Sequence, residues 1–259
     1  MRPLPLLVAA LPALLLAAPP ELAIPPADAP RTGSGLAFRI IQAGQPAPPA
    51  GPKAFVRAHF MGWDREGQTF ANSRAQDEAP YLSLEKLMPG MRESLLAMGL
   101  GEQRRVWIPE ALAFAGAKGR PTGGVVMDLE LLDMLPHPEQ APPDVAAPAG
   151  DAQVLRSGLA CKVLRAGTGT HRPTRASWVS VHYSGWTTDG KLFDSSIPKG
   201  TSVLLQLSNT IPGWIEGLQH MTVGEKRRFW IPEKLAYRGA RDRPAGMLVF
   251  DVELVGMNP

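Results

Sequence analysis

The sequence predicts an α+β chain of two tandem domains, each a curved antiparallel sheet of about five strands wrapped on one short helix. Three observations carry this. The second half repeats the first at a constant offset of 123 positions, without a gap: Gly35 matches Gly158, His59 matches His182, Trp63 matches Trp186, Phe70 matches Phe193 and Pro89 matches Pro212. Within the repeat, short runs alternate apolar and polar residues and are separated by Gly, Asp and Pro turns, which is the strand pattern. One short stretch per copy, following Pro89 or Pro212, instead opens as helices do, with proline at the first position.

Between Gly35–Met134 and Gly158–Met257, roughly 40 of about 100 positions are identical, a period far too long for a solenoid unit. The 259 residues therefore hold two copies of one fold, each able to bury a single modest core.

In chain order, residues 1–23 begin MRPLPLLVAALPALLLAAPP, with Arg2 ahead of a Leu/Ala/Val run that ends in small residues. This is the pattern of an export signal, interrupted by Pro12 and too short for a membrane span. Export to the periplasm is expected, with nothing left in the membrane once the signal is removed. A retained anchor is the alternative, because Pro19 and Pro20 obscure the cleavage point. No cysteine follows the run, which excludes lipid attachment there. Residues 24–34 are rich in Pro and Ala and are expected to form an extended tether. Residues 35–135 form the first domain, 136–150 (PHPEQAPPDVAAPAG) a second Pro-rich linker with no share in a core, and 151–259 the second domain.

The strands are clearest in the second domain. Ser177–Gly185 alternates Val179, Val181 and Tyr183 with Trp178, Ser180 and His182. The turn Thr188-Asp189-Gly190 leads to a strand at Lys191–Asp194, and Ser202–Leu207, Lys226–Ile231 and Met247–Val255 are further strands. Gly213–His220 is the expected helix, mirrored by Gly90–Ala97 in the first domain.

Composition removes several function classes. Cys161 is the one cysteine, so no intrachain disulfide can form, and its apolar neighbours mark it as a buried thiol. The formal net charge is +3 with bases scattered among acids, which leaves no footprint for nucleic acid. The histidines, His59, His137, His171, His182 and His220, have no metal-ligand spacing, and neither a phosphate loop nor a catalytic triad is present. No metal or cofactor is expected. The shared block GE(Q/K)RR(V/F)WIPE, at Gly101 and Gly224, is a turn followed by a core strand.

Four segments of the second domain carry a resemblance. Val181-His182-Tyr183-Ser184-Gly185, Asp189 to Ser196 (DGKLFDSS), Ile211-Pro212-Gly213-Trp214 and Leu248 to Leu254 (LVFDVEL) closely resemble the FKBP-type peptidyl-prolyl cis–trans isomerases, in order and in approximate spacing. The resemblance implies an enzyme that rotates X–Pro bonds in proline-containing polypeptide clients during folding of exported proteins. It places Trp214 under the proline ring, with Tyr183, Phe193 and Phe250 as aromatic walls and Thr210 and Ile211 on the rim. By the same resemblance Tyr237 donates its hydroxyl to a peptide carbonyl, and Asp194 sits beside the twisted carbonyl, bonded to the Tyr183 hydroxyl. Any one of these aromatics taken alone reads as a core residue; it is Asp194, a carboxylate after an apolar run that needs a partner, that favours a site. Val203 stands where the family often has another aromatic wall. Arg238 to Leu248 is shorter than the family's usual flap; its Arg238, Arg241 and Arg243 make either a solvated loop or a basic rim that favours acidic clients.

Applying the offset to the site, Tyr183 becomes Phe60, Asp194 becomes Ala71, Trp214 becomes Met91, Tyr237 becomes Phe114 and Phe250 becomes Met127, while Phe193 is retained as Phe70. The first domain is therefore expected to be a non-catalytic copy, with Met91 and Met127 lining a soft groove for clients or for self-association. The alternative to the enzyme is a non-catalytic chaperone or protein-binding module built from both domains.

Overall fold

Alternation decides which side of each sheet faces inward, and the strands follow it closely. The structure, a computed structural model, describes residues 24–76 and 78–258; the signal expected over residues 1–23 lies outside them. Among the described residues no helix is long and apolar enough to cross a membrane. The chain divides into two units, Met1–Leu135 and Pro136–Pro259.

In the first unit β1 (Ala37–Gln42), β2 (Phe55–Trp63), β3 (Thr69–Asn72), β4 (Tyr81–Ser83), β5 (Gln103–Ile108) and β6 (Val125–Leu135) form one antiparallel sheet, with α1 (Pro89–Leu96) between β4 and β5. The order is β1-β5-β6-β2-β3, and β4 also pairs with β2. The second unit repeats this with β7 (Gln153–Val154), β8 (Ala160–Arg165), β9 (Trp178–Thr187), β10 (Leu192–Ser195), β11 (Val203–Gln206), α2 (Pro212–Leu218), β12 (Lys226–Ile231) and β13 (Leu248–Asn258). Its order is β10-β9-β13-β12-β8-β7, with β11 on β9. The α+β architecture expected from the sequence is present in both units. The strands β1, β7 and β8 are additions, since their short runs carry too little alternation to stand out.

The concave face of the second sheet packs on α2. Val179, Val181, Phe229, Ile231, Val252 and Leu254 meet Trp214 and Leu218 there, all of them buried. Close approach needs bare backbone on the helix. A Cβ on Gly213 would stand 2.4 Å from Ile231 Cγ2, and one on Gly217 would stand 2.7 Å from Phe229 Cε1. Glycine costs helix stability, and here it lets the helix sit against the sheet.

The shared charged block is structural in both units. Arg228 makes a bidentate pair with Asp251 across β12 and β13 at 2.6 and 2.8 Å, and Arg105 does the same with Asp128 at 2.7 and 2.9 Å. Glu102 and Glu225, in the turn before each strand, pair with Arg104 and Arg227 at the strand starts, and all four side chains are largely buried. Charges buried at this depth persist only when paired and hydrogen-bonded.

The opposite face of each sheet also has a small apolar cluster, and here the Pro-rich segments do more than connect. In the first unit Ala29 is buried against Ala37, Trp107 and Val126, while Pro30 accepts the Phe38 N–H at 3.0 Å. In the second, Val145, Ala149 and Ala152 cover Ala160, Trp230 and Val249. The Trp186 indole N–H donates to Pro138 O at 2.7 Å, and that of Trp230 to Asp144 O at 2.9 Å. The Asp144 carboxylate is a second partner of Arg228. Proline does keep residues 136–150 out of the ladders. Carbonyls need no ladder, however, and two outward-facing indoles require acceptors, so this segment is a strap on the second unit.

Candidate active site

The site grows from the inward face of β9. Tyr183 is half-buried there, and Gly185, next on the same face, has no side chain. A Cβ at Gly185 would lie 2.6 Å from Phe250 Cε1 and 2.8 Å from Phe193 Cζ, so bare backbone is what lets those rings meet. They do so edge to face, with centroids 5.4 Å apart.

On β10, Phe193 and Asp194 are adjacent and in a regular strand would point to opposite faces. The pairing of β10 with β9 slips between Leu192 and Asp194, leaving Phe193 as an extra residue. Such a bulge re-aims its neighbours. Phe193 reaches Phe250, and Asp194 Oδ2 accepts the Tyr183 hydroxyl at 2.6 Å. The same slip recurs at Phe70 in the first unit. The bulge therefore belongs to the fold, and the residue after it, Asp194 or Ala71, decides whether it presents a carboxylate.

Opposite the sheet, a tight turn at Leu207–Asn209 leads through Thr210 and Ile211 into α2, which has Pro212 at its first position. That start sets Trp214 in the first turn. Its ring stands edge-on to Tyr183 at 5.2 Å and to Phe250 at 5.4 Å. Tyr237 follows the turn Glu233–Leu235, and the Arg243 guanidinium lies over its ring at 5.2 Å.

Tyr183, Asp194, Thr210, Ile211, Trp214, Tyr237 and Phe250 all line one cavity of about 400 Å³. Phe193 stands behind Phe250 as a supporting wall. Leu205, Asn209 and Arg243 complete the lining. Leu205 takes the role that family resemblance suggested for position 203, since both lie on one face of β11 and Leu205 is the one at the cavity. Asn209 was not anticipated; an exposed polar residue at a turn gives no signal of its own in one sequence. A more open groove of about 670 Å³ lies beside α2, lined by Pro212, Ile215 and Leu235 among others. It has no aromatic wall.

Burial raises the Tyr183 hydroxyl well above the usual tyrosine range, and the bond to Asp194 adds to it. Tyr237 is raised too, by burial first; Arg243 pulls it down and Asp194 pushes it up. Both hydroxyls therefore remain protonated donors at neutral pH. The Trp214 indole N–H is buried with no acceptor among the described residues. What results is an aromatic-walled pocket with a tyrosine donor, Tyr237, and one oriented carboxylate, Asp194. Among the described residues no cluster of His, Cys, Asp or Glu could hold a metal ion. His59 and His182 pack beside Ser73 and Ser196 instead, at 3.2 and 3.4 Å.

The first unit keeps the framework. Phe70 meets Phe114 edge to face at 5.5 Å, and Arg120 lies over Phe114 at 5.5 Å, as Arg243 does over Tyr237. Met91 and Met127 belong to the first unit's buried core at 3% and 1% exposed, much as Trp214 and Phe250, at 5% and 3%, do in the second.

A family model described as FKBP-type peptidyl-prolyl cis–trans isomerase matches residues 47–132 and again 169–255. The chain belongs to the FKBP family. Among curated relatives, the FKBP-type isomerase FkpA of Aeromonas hydrophila is 48% identical over 104 residues, covering 39% of this chain and 38% of that protein. Mouse FKBP10 is 33% identical over 214 residues, covering 78% of this chain and 34% of its own length. The crystal structure of FkpA from Escherichia coli aligns with 43% of this chain and 53% of its own, at 38% identity and a TM-score of 0.41. The chain thus spans well under half the length of these two curated FKBP relatives.

Proposed function

We propose that this protein is an exported peptidyl-prolyl cis–trans isomerase acting on folding clients, with catalysis carried by the second FKBP unit. The supporting observation is the Tyr183–Asp194 hydrogen bond of 2.6 Å held above the Trp214 floor of an apolar cavity. Pure binding requires no such oriented carboxylate.

Rotation about an X–Pro bond costs about 18–20 kcal/mol because the planar amide loses resonance. The planar form is strongly dipolar; the twisted form is closer to a ketone plus an amine. An apolar, water-poor cavity therefore favours the twisted form relative to water. The proline ring seats on Trp214 between Phe250 and Tyr183. Tyr237 donates to a peptide carbonyl and fixes the chain on one side of the rotating bond. Asp194, restrained by Tyr183, faces the carbonyl carbon as it becomes more positive. Each tenfold in rate needs only about 1.4 kcal/mol of preference, which one hydrogen bond and desolvation supply. No covalent intermediate is involved.

The first unit has neither hydroxyl nor carboxylate at the equivalent positions, and its role is non-catalytic. Export rests on the signal pattern over residues 1–23. The test is a proline-isomerisation assay on residues 136–259, on the same fragment carrying Asp194→Ala with Tyr237→Phe, and on residues 24–135. Turnover by the first alone is expected. A folded but inactive 136–259 would support a binding module, and turnover by 24–135 would overturn the division of labour.

A further inference from the structure

Three strand arginines of the second unit contrast with the three of its flap. Those of the framework are paired: Arg165 with Glu253 at 2.6 Å, Arg227 with Glu225, and Arg228 with both Asp251 and Asp144. Those of the flap are not. Arg238, Arg241 and Arg243 take part in no ion pair among the described residues. Arg238 donates to the Lys234 carbonyl at 2.9 Å, which holds the start of the flap. The flap is itself tightly wound, with Arg238 and Asp242 at φ 55° and 62° and turns closing Ala240 on Tyr237 and Arg243 on Ala240. That winding brings Arg243 back over the Tyr237 ring and into the cavity lining.

Only one other charged side chain lines this cavity, Asp194, and its carboxylate is already engaged by Tyr183. A client entering the pocket thus meets two opposite charges: a carboxylate tied to Tyr183, and a guanidinium with no ion-pair partner beside the tyrosine that would hold its backbone. We propose that Arg243 is a specificity-determining residue, selecting polypeptides with an acidic side chain adjacent to the isomerising proline. This rests on the isomerase reading and names its substrate class. Arg120 over Phe114 in the first unit shows that the stack itself is part of the scaffold; in the second unit the same stack borders an open cavity and a donating hydroxyl.

The experiment uses residues 24–259 and two peptide series, with Glu, Leu or Lys immediately before or immediately after the proline. Isomerisation is followed by exchange spectroscopy without a coupling protease, and binding by anisotropy of the labelled peptides. The Glu-to-Lys ratio in kcat/KM or in affinity is expected to be about tenfold in one series at low salt. It should shrink toward unity near 1 M salt, where screening is short-ranged. The ratio should persist in Arg243→Lys, vanish in Arg243→Gln and invert in Arg243→Glu, a pattern that a purely structural stack would not produce. A ratio within about twofold of unity in both series, or one that survives Arg243→Gln, overturns the proposal. Charge-selective binding without turnover would instead sink the isomerase reading and leave the selectivity standing.

Discussion

The Tyr183 hydroxyl donates to Asp194 Oδ2 across 2.6 Å, and the residues 123 positions earlier are Phe60 and Ala71. The second unit thus has an oriented carboxylate at a position where the first has a methyl group, on an otherwise shared bulge.

These two residues should act as one device. Tyr183→Phe and Asp194→Ala are each expected to lower kcat/KM by about tenfold, or roughly 1.4 kcal/mol. The double variant should lose little more than either alone, because each removes the same oriented group. Full additivity would show that they act separately.

The pH response follows from the tyrosines. Both Tyr183 and Tyr237 are raised above the ordinary value, so turnover of an uncharged peptide should be level through pH about 10, where an unperturbed tyrosine is half ionised. Stability behaves in the linked way: the folded state holds these protons more tightly than the unfolded chain. The contribution is complete below pH about 10 and is lost as pH rises from there toward the raised values. An alkaline limb of activity centred below pH 10 would contradict the burial of these groups.

Gly185 is predicted to tolerate no side chain. Gly185→Ala would place a methyl against the Phe250 and Phe193 rings, which cannot both retreat, at a cost of about 1–3 kcal/mol. Denaturant unfolding should show the loss in the second unit, together with weaker peptide binding. A neutral effect on both would mean the aromatic walls are loosely held.

The strap should matter to the fold. Residues 151–259 lack Pro138, Asp144, Val145 and Ala149, so the Trp186 and Trp230 indoles lose their cover and Arg228 loses one carboxylate. Relative to residues 136–259, this shorter fragment is expected to be about 2–4 kcal/mol less stable. Thermal unfolding should then move down by about 10 °C or more. Equal melting temperatures would return residues 136–150 to the status of a linker.

Much of this was legible in the letters. The repeat is covalent fact, and strand alternation along Trp178–Thr187 already separates Val179, Val181 and Tyr183 from their neighbours. The eight residues that the family resemblance implied do come together, seven on the cavity and Phe193 behind it. Leu205, Asn209 and the placement of Arg243 were not legible. Their positions depend on how a turn and a flap fold back through space, which no local period describes.

The sequence by itself determined that two copies of one fold exist, that they are sheets closed on a short helix, and that one copy lost its hydroxyls and carboxylate. Tertiary structure alone decided three things: that Met91 and Met127 are buried in the first unit's core, that residues 136–150 are bound as a strap, and that Arg243 faces the cavity unpaired. The physical reason is common to all three. Composition and period report what a residue prefers, water or apolar cover, whereas partners for an indole N–H, a guanidinium or a void are supplied by whatever distant segment the folded chain brings within reach.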